Sequence, residues 1–415
     1  MYTNGEEPLM DIVIIADFLG TLDGASNSRF LYLADMLAKK HNVEVITSDF
    51  NHASKAYFNY EIERHEYPIT MLHEGSYPTN VCIKRFVAHW IWSNSVNKYL
   101  KTRKKPDVIY VAVPPFATSY KIAKYCEKNG IRFIVDVQDL WPEAFQMVFN
   151  MPVFSDIVFT PFKLLADGTY KRADEICAVS DSYCERAKSV NKKVEDTTTV
   201  FLGTELARFD HCASEKTVLE KKENEIWLAY CGTLGSSYDL TCVIDALSLL
   251  QDHRIKFIVM GDGPRKDEFE KYAKDKGINS IFTGRLTYDT MCSTLVACDI
   301  TVNPIRHRAA QSIINKHADY AASGLPVVNT QENEEYRKLV DEYQMGFNCR
   351  NNDSADLAEK IKKLVDDEEL RQQMGKNARR CAEERFDRKA TYVLLENLIN
   401  KLNELIYCVR KFKKI

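Results

Sequence analysis

Short runs of β-branched and aliphatic residues alternate with longer helical patterns along nearly the whole chain. No other feature constrains the fold as tightly. In the first half the strand candidates are Ile12–Ala16, Val43–Thr47, Val108–Ala112, Phe133–Val137 and Ile176–Ser180. Helical patterns fall near Asn27–Lys40, Val81–Lys105, Phe116–Asn129 and Ser155–Ala173. The second half repeats this grammar, with strands at Ile226–Cys231, Ile255–Met260, Ser280–Thr283, Ile300–Asn303 and Pro326–Asn329, each followed by a helical segment. Parallel strands need crossovers, and crossover helices bury both sheet faces, so such strands are apolar throughout. A polar, charged stretch at Glu205–Asn224 separates the halves. The pattern predicts an α/β protein of two doubly wound domains facing each other, spanning 1–204 and 222–387.

Length supports that division, since 415 residues are enough for two or three domains with their own cores. A formal net charge of −3 argues against a general nucleic-acid binder. The 12 cysteines show no C-x-x-C pair and no His/Cys cluster at metal spacing, which reads as reduced thiols in a cytoplasmic protein. No apolar run reaches the roughly 18–20 residues of a membrane span. The run Asp11–Ala16 lacks the basic flank and length of a signal peptide and reads as a first core strand.

Chemistry concentrates in Gln311–Val328, QSIINKHADYAASGLPVV. An Asn-Lys pair opens a predicted helix, Asp319 follows Lys316 by three residues, and a Gly-x-Pro turn leads into an apolar strand. A helix start that combines a lysine with free backbone N–H groups suits a phosphate. An acid one turn on can accept from a sugar hydroxyl, so the segment reads as a nucleotide-sugar site. Glycine placement agrees. Of 16 glycines, Gly232, Gly235, Gly261, Gly263 and Gly284 fall just past predicted strands of the second half, with Gly324 after the Lys316 helix. Ligands of open parallel sheets bind at the carboxyl ends of strands, where glycine permits close backbone approach. Turn chemistry alone explains any one of these glycines; the set at one sheet edge points to a ligand.

Competing chemistries lack their signatures. No G-x-G-x-x-G follows a strand, since Pro264 and Arg265 succeed the two glycines of Gly261–Gly263, which argues against a dehydrogenase. There is no Walker A loop, no Asp-x-Asp and no H-E-x-x-H, so neither a metal-chelated diphosphate nor a metal centre is expected.

Several stretches together resemble one family. They are PDVIYVAVPP (Pro106–Pro115), IVDVQDLWPEAF (Ile134–Phe145), RADEICAVSDSYCERA (Arg172–Ala187) and FLGTELARF (Phe201–Phe209), followed by YCGTLGSSYDL, MGDGP, FTGRL and NKHADYAASGLPVV in order. Across essentially its whole length the chain resembles GT-B fold glycosyltransferases of family 4, or group 1. The nearest branch serves bacterial capsule, O-antigen and exopolysaccharide assembly and carries a DLWPE turn. The resemblance implies Rossmann-like domains, the first binding acceptor and completed by a carboxyl-terminal helix over 388–415, the second binding donor. It implies a retaining transfer from a nucleoside-diphosphate sugar, UDP-linked, to a glycan or lipid-linked glycan, with no metal cofactor.

Site roles follow from the same resemblance. The family's Glu-x7-Glu pattern falls on Gln311 and Asp319, and the chain departs from it at both places. Gln311 would meet the donor sugar's hydroxyls, and Asp319 the ribose. Lys316 would face the diphosphate beside the amides of Ser312 and Ile313. Ser237, Tyr238 and Asp239 stand where many relatives carry a further base, so charge neutralisation leans on Lys316 with Arg306 or Arg308. The backbone around Arg285 would contact the nucleobase, and Gly24, in the loop Asp23–Ser28, the donor phosphates. Arg29 would touch phosphate or a neighbouring acid. Asp139, after a strand and before Leu-Trp-Pro, would orient or deprotonate the acceptor hydroxyl; its plainer reading is a helix N-cap.

Two amphipathic segments raise the prospect of peripheral membrane contact. Lys84–Lys105 mixes Trp90 and Trp92 with lysine and arginine, and the end of the chain spaces Leu395, Leu398, Leu402, Leu405 and Val409 helically before RKFKKI. The blander reading packs both on the core. Two other functions share the fold-level reading. A nucleotide-sugar 2-epimerase would need no acceptor, and a non-catalytic scaffold would fit the loss of both glutamates.

Overall fold

The computed structural model describes residues 9–19, 28–58, 65–79, 82–141, 152–307, 309 and 313–401, with the side chains of 152–158 excepted. The chain divides into one unit of Met1–Phe201 with Tyr392–Ile415 and a second of Leu202–Thr391.

The first unit contains β1 (Asp11–Ile15), β2 (Asn42–Ser48), β3 (Phe50–Asn51), β4 (Ala56–Tyr57), β5 (Ile69–Leu72), β6 (Val108–Val113), β7 (Arg132–Val137), β8 (Glu175–Ala178) and β9 (Thr198–Thr199). Its sheet runs β5-β2-β1-β6-β7-β8-β9 with every pairing parallel, while β3 and β4 form a small antiparallel hairpin. The apolar runs are buried on both faces, as the helices between them require. Local chemistry sets the helix ends. Ser28 accepts from the N–H of Leu31 to start Arg29–Ala38, Ser180 does the same for Asp181–Lys188, and Gly130 at φ +60° ends Phe116–Asn129.

Arg29 serves this core and not a phosphate. It is buried in an ion pair with Asp136 of β7 at 2.9 Å and donates to the carbonyls of Val200 and Phe201. Tyr110 donates to the same carboxylate. Losing one partner of such a pair would cost about 3–5 kcal/mol. The helix Val393–Asn400 buries Leu395, Leu398 and Ile399 in the core of this unit. Those two leucines are therefore core residues and not a lipid-facing stripe; residues 402–415, including the rest of the predicted stripe, lie outside the described residues.

The second unit contains β10 (Ile226–Cys231), β11 (Ile255–Met260), β12 (Ser280–Gly284), β13 (Ile300–Asn303), β14 (Val327–Asn329) and β15 (Gly346–Asn348). All pair in parallel in the order β12-β11-β10-β13-β14-β15. The polar stretch after Phe201 is not a linker throughout. Leu206–Ala213 is a helix that buries Leu206, Phe209 and Cys212, and the second unit begins before it. Pro326 stays outside β14, having no N–H to offer the ladder.

Candidate functional site

In the second sheet the chain runs outward from β10 through β11 to β12, then returns to the other side of β10 with β13. Connections diverge between β10 and β13, and a crevice at such a switch point is where open α/β sheets bind ligands. Two loops meet there. Leu234 N–H donates to Asp262, Arg265 N–H donates to Leu234, and Arg306 N–H donates to Ser237. Tyr238 bridges Ile305, and Asp239 accepts from the N–H of Cys242 to cap the helix Leu240–Leu250.

Glycine is required at two of these positions. A Cβ on Gly261 would lie 1.8 Å from the carbonyl oxygen of Gly232, and one on Gly263 would lie 2.5 Å from that of Leu234. Gly232 itself adopts φ +141°, and a side chain there would come within 3.4 Å of Lys316 Nζ. Gly235 has only the Thr233 methyl nearby, at 3.7 Å.

Lys316 lies in the first turn of the helix Asn315–Ala322, whose start is supported by the Ile314 N–H donating to His317 Nδ1. Its side chain is 8% exposed. Nζ sits 4.4 Å from the ring centre of Tyr230 and 3.9 Å from that of Tyr238. Among the described residues the ammonium has no hydrogen-bond partner. Burial pushes its pKa down to about 7, against a small opposing pull from the Cys231 thiol. A cation left in this condition complements an anion placed beside Gly232.

One turn on, the Asp319 carboxylate accepts from Tyr288 Oη at 3.0 Å, and Tyr288 pairs with Thr204 Oγ1 at 3.0 Å. Its dense surroundings raise its pKa to about 6, although hydrogen bonding from Tyr288 and the charge of Arg388 pull the other way. Ile313 is buried just before the helix. Arg285 is exposed at the end of β12, and Arg306 is exposed after β13. Gln311, Ser312, Arg308 and Gly24 lie outside the described residues. Sequence reasoning gave no role to Tyr230, Tyr238, Tyr288 or Thr204, because they come from a strand, two loops and another helix and no local motif brings them together.

In the first unit Asp139 follows β7 and accepts from Trp141 Nε1 at 2.9 Å. Burial raises its pKa, and the hydrogen bonds from Trp141 and Leu140 and the charge of Arg85 oppose that rise. The guanidinium of Arg85 lies 4.4 Å from the Trp141 ring centre. Pro142 and the helix start that Asp139 might have capped lie outside the described residues. A cavity of about 690 Å³ opens at the opposite edge of this sheet, between Lys105, Arg132, Arg172 and Asp174. Its acids and bases are mixed, and it gathers none of the predicted residues.

Comparison with known proteins bears on the family and the fold. Residues 213–381 match the family described as glycosyl transferases group 1. WcaI of Escherichia coli K12, named as a colanic acid biosynthesis glycosyl transferase, is 24% identical over 243 residues, 55% of this chain and 58% of its own. Two further glycosyltransferase relatives are covered over 32% and 60% of their lengths, so the matches span under two thirds of these relatives. Among solved structures, sucrose-phosphate synthase from Thermosynechococcus elongatus superposes with a TM-score of 0.74 at 16% identity, covering 94% of this chain and 98% of that one. HepE from Anabaena, solved with UDP, gives 0.66 at 17% identity, covering 95% of this chain and all of that one. The two-sheet architecture is that of GT-B glycosyltransferases, and the segment that matches group 1 glycosyl transferases lies in the second unit.

Proposed function

We propose that the protein is a retaining glycosyltransferase that moves a sugar from a nucleoside-diphosphate sugar, a UDP-sugar, to a glycan or lipid-linked glycan in cell-surface polysaccharide assembly. One observation carries the reading: Lys316, buried without a partner at a helix start beside Gly232, in a group 1 domain. The HepE structures with UDP and UDP-glucose support the choice of nucleotide. The DLWPE turn and the likeness to WcaI support the choice of pathway.

In this reading the β10–β11 loop glycines Gly232 and Gly235, with Gly261 and Gly263, bring backbone against the donor. Lys316 and the amides of Ser312 and Ile313 hold the diphosphate and stabilise the charge that grows on it as the sugar leaves. Asp319 accepts from the ribose, Arg285 backbone flanks the base, and Gln311 meets the sugar hydroxyls. No metal is needed for that step, because the lysine and the oriented N–H groups carry the charge. Asp139 orients the acceptor hydroxyl, and the leaving phosphate takes its proton. The first unit also offers a lipid surface Ile83, Val87 and Trp90, exposed along one face of the acid-free helix Ile83–Thr102, whereas Trp92 is buried. Peripheral contact with anionic membrane follows as part of the proposal.

The test is a metal-free thermal-shift and transfer panel of UDP- and GDP-sugars. A shift with one donor, lost in Lys316→Ala, and a product that keeps the donor's anomeric configuration by NMR are expected. A donor converted to its 2-epimer without acceptor would replace this reading with the epimerase. No shift with any donor would leave a scaffold.

A further inference from the structure

Three buried ligating groups converge in the first unit, in residues far apart in sequence. Asp17 follows β1, Glu74 follows β5, and His89 lies on the helix Ile83–Thr102. They are 5%, 1% and 3% exposed. His89 Nε2 lies 3.9 Å from Asp17 Oδ2 and 3.9 Å from Glu74 Oε1. One ligand atom from each can be chosen so that all lie within 4.8 Å of one another. Among the described residues, both Asp17 oxygens, Glu74 Oε1 and His89 Nε2 lack hydrogen-bond partners. Burial raises the pKa of both acids and sets a proton between them against an occupant, yet that proton leaves His89 Nε2 without a partner.

We propose that Asp17, Glu74 and His89 hold one divalent transition-metal ion, Zn²⁺ or Mn²⁺, at the carboxyl edge of the first sheet. Two atoms bound tetrahedrally to one such ion at about 2.0–2.2 Å stand roughly 3.3–3.6 Å apart, so the 3.9 Å His89 distances close onto an ion with side-chain shifts of a few tenths of an ångström. Two carboxylates and an imidazole suit these ions, whereas Mg²⁺ prefers oxygen and water. Burial and the charge of Arg85 keep His89 neutral, so its lone pair is available. The remaining Glu74 oxygen is already oriented, accepting from Ser48 Oγ at 2.6 Å, and Ser48 in turn accepts from the Phe50 N–H. Such second-layer contacts fix a ligand's direction. Arg85, over the Trp141 ring, lies close enough for its charge to offset part of that of both carboxyls. With neutral His89, the two acids and Arg85 sum to −1, so the ion leaves the cluster at +1.

This inference does not rest on the transfer reaction. The full chain, stripped with a chelating resin, is titrated with Zn²⁺ and with Mn²⁺ by calorimetry, with bound metal counted by mass spectrometry. One equivalent per chain and a raised Tm are expected. His89→Gln, and separately the double variant Asp17→Asn with Glu74→Gln, should weaken binding by roughly 100-fold or more. In chelator the double variant should melt at or above the parent, because facing carboxylates become neutral amides; its failure to bind then cannot be blamed on unfolding. No uptake by the parent would overturn the proposal and leave the pocket to a buried water or a proton shared between the acids. Uptake that survives in both variants would overturn it equally, by placing the ion elsewhere, for instance at the surface pair His307 and Glu332.

Discussion

The carboxyl edges of the two sheets are built on the same scaffold and carry opposite burdens. In the second unit the buried group without a partner is a cation, Lys316, under the faces of Tyr230 and Tyr238. In the first unit the orphans are the carboxylates of Asp17 and Glu74, beside a neutral imidazole. A parallel sheet fixes where a site opens, since strand ends and helix starts converge there. It does not fix what the site takes. That is decided by which charge the sequence buries uncompensated, because such a group either neutralises by a shifted pKa, as burial drives Asp17, Glu74 and Lys316 to do, or takes an opposite charge. One edge therefore asks for an anion and the other for a cation.

The strongest way to break the comparison is to remove the cation. Lys316→Met should lower donor affinity and transfer by roughly 100-fold or more, the scale seen when one preorganised charge donor is lost. The same change should raise the Tm of the ligand-free protein, because a buried unpaired ammonium is replaced by an apolar chain of similar length. The two effects must travel together. Retained donor binding, or a lower Tm, would mean that Lys316 is an ordinary structural residue. Melting curves with and without UDP-sugar read both at once.

Glycine substitutions sharpen where the anion sits. Gly261→Ala forces a methyl into the Gly232 carbonyl at 1.8 Å, so the loop that faces Lys316 must move. A loss of about 1–3 kcal/mol in stability is expected, together with weakened donor binding. Gly235→Ala meets only a methyl at 3.7 Å and should stay within about 0.5 kcal/mol of the parent. Urea unfolding of both variants checks this. Equal effects would show that the glycines mark turns and not the approach of a ligand.

Much of this was legible in the chain, for identifiable reasons. Ile226–Cys231 and Ile255–Met260 form strands over the predicted spans, because apolar runs of six residues between helical patterns are too short for a buried helix. The short strands β5, β9 and β15 escaped notice, since two to four half-buried residues carry no period. Lys316 at a helix start was visible from its Asn-Lys opening and the Gly-x-Pro turn after it. The aromatic faces around it were not, as Tyr230 ends a strand and Tyr238 lies in the loop beyond it. Arg29 was left between phosphate and a neighbouring acid, and the structure gives the acid; Asp136 could not be named because it lies 107 residues away and arrives only through the sheet. Asp17, Glu74 and His89 failed every spacing rule for the same reason: helix Ile83–Thr102 brings the imidazole to strands that precede it.

The smallest effect tests whether both titrating groups of the second unit serve one ligand. In the proposed reading Asp319, raised to about 6, accepts from a ribose hydroxyl most strongly as the carboxylate, so donor affinity should fall as pH drops below about 6. Lys316, lowered to about 7, must be protonated to meet the diphosphate, so affinity should fall as pH rises above about 7. A UDP-sugar suits the measurement better than UDP, since its diphosphate has no terminal ionisation in this range. The expected profile is a narrow bell, each limb falling up to about tenfold per pH unit. Stability of the free protein should show the linked signs. The Asp319 contribution is lost as pH rises from its unfolded value of 3.8 to about 6, because the folded state binds the extra proton there. The Lys316 penalty is instead relieved from about pH 7 toward 10.5, because there the unfolded chain binds more protons. Asp319→Asn should flatten the acid limb and leave the alkaline one. A bell that keeps both limbs in that variant would assign the acid limb to another group and detach Asp319 from the site, leaving the anion to Lys316 alone.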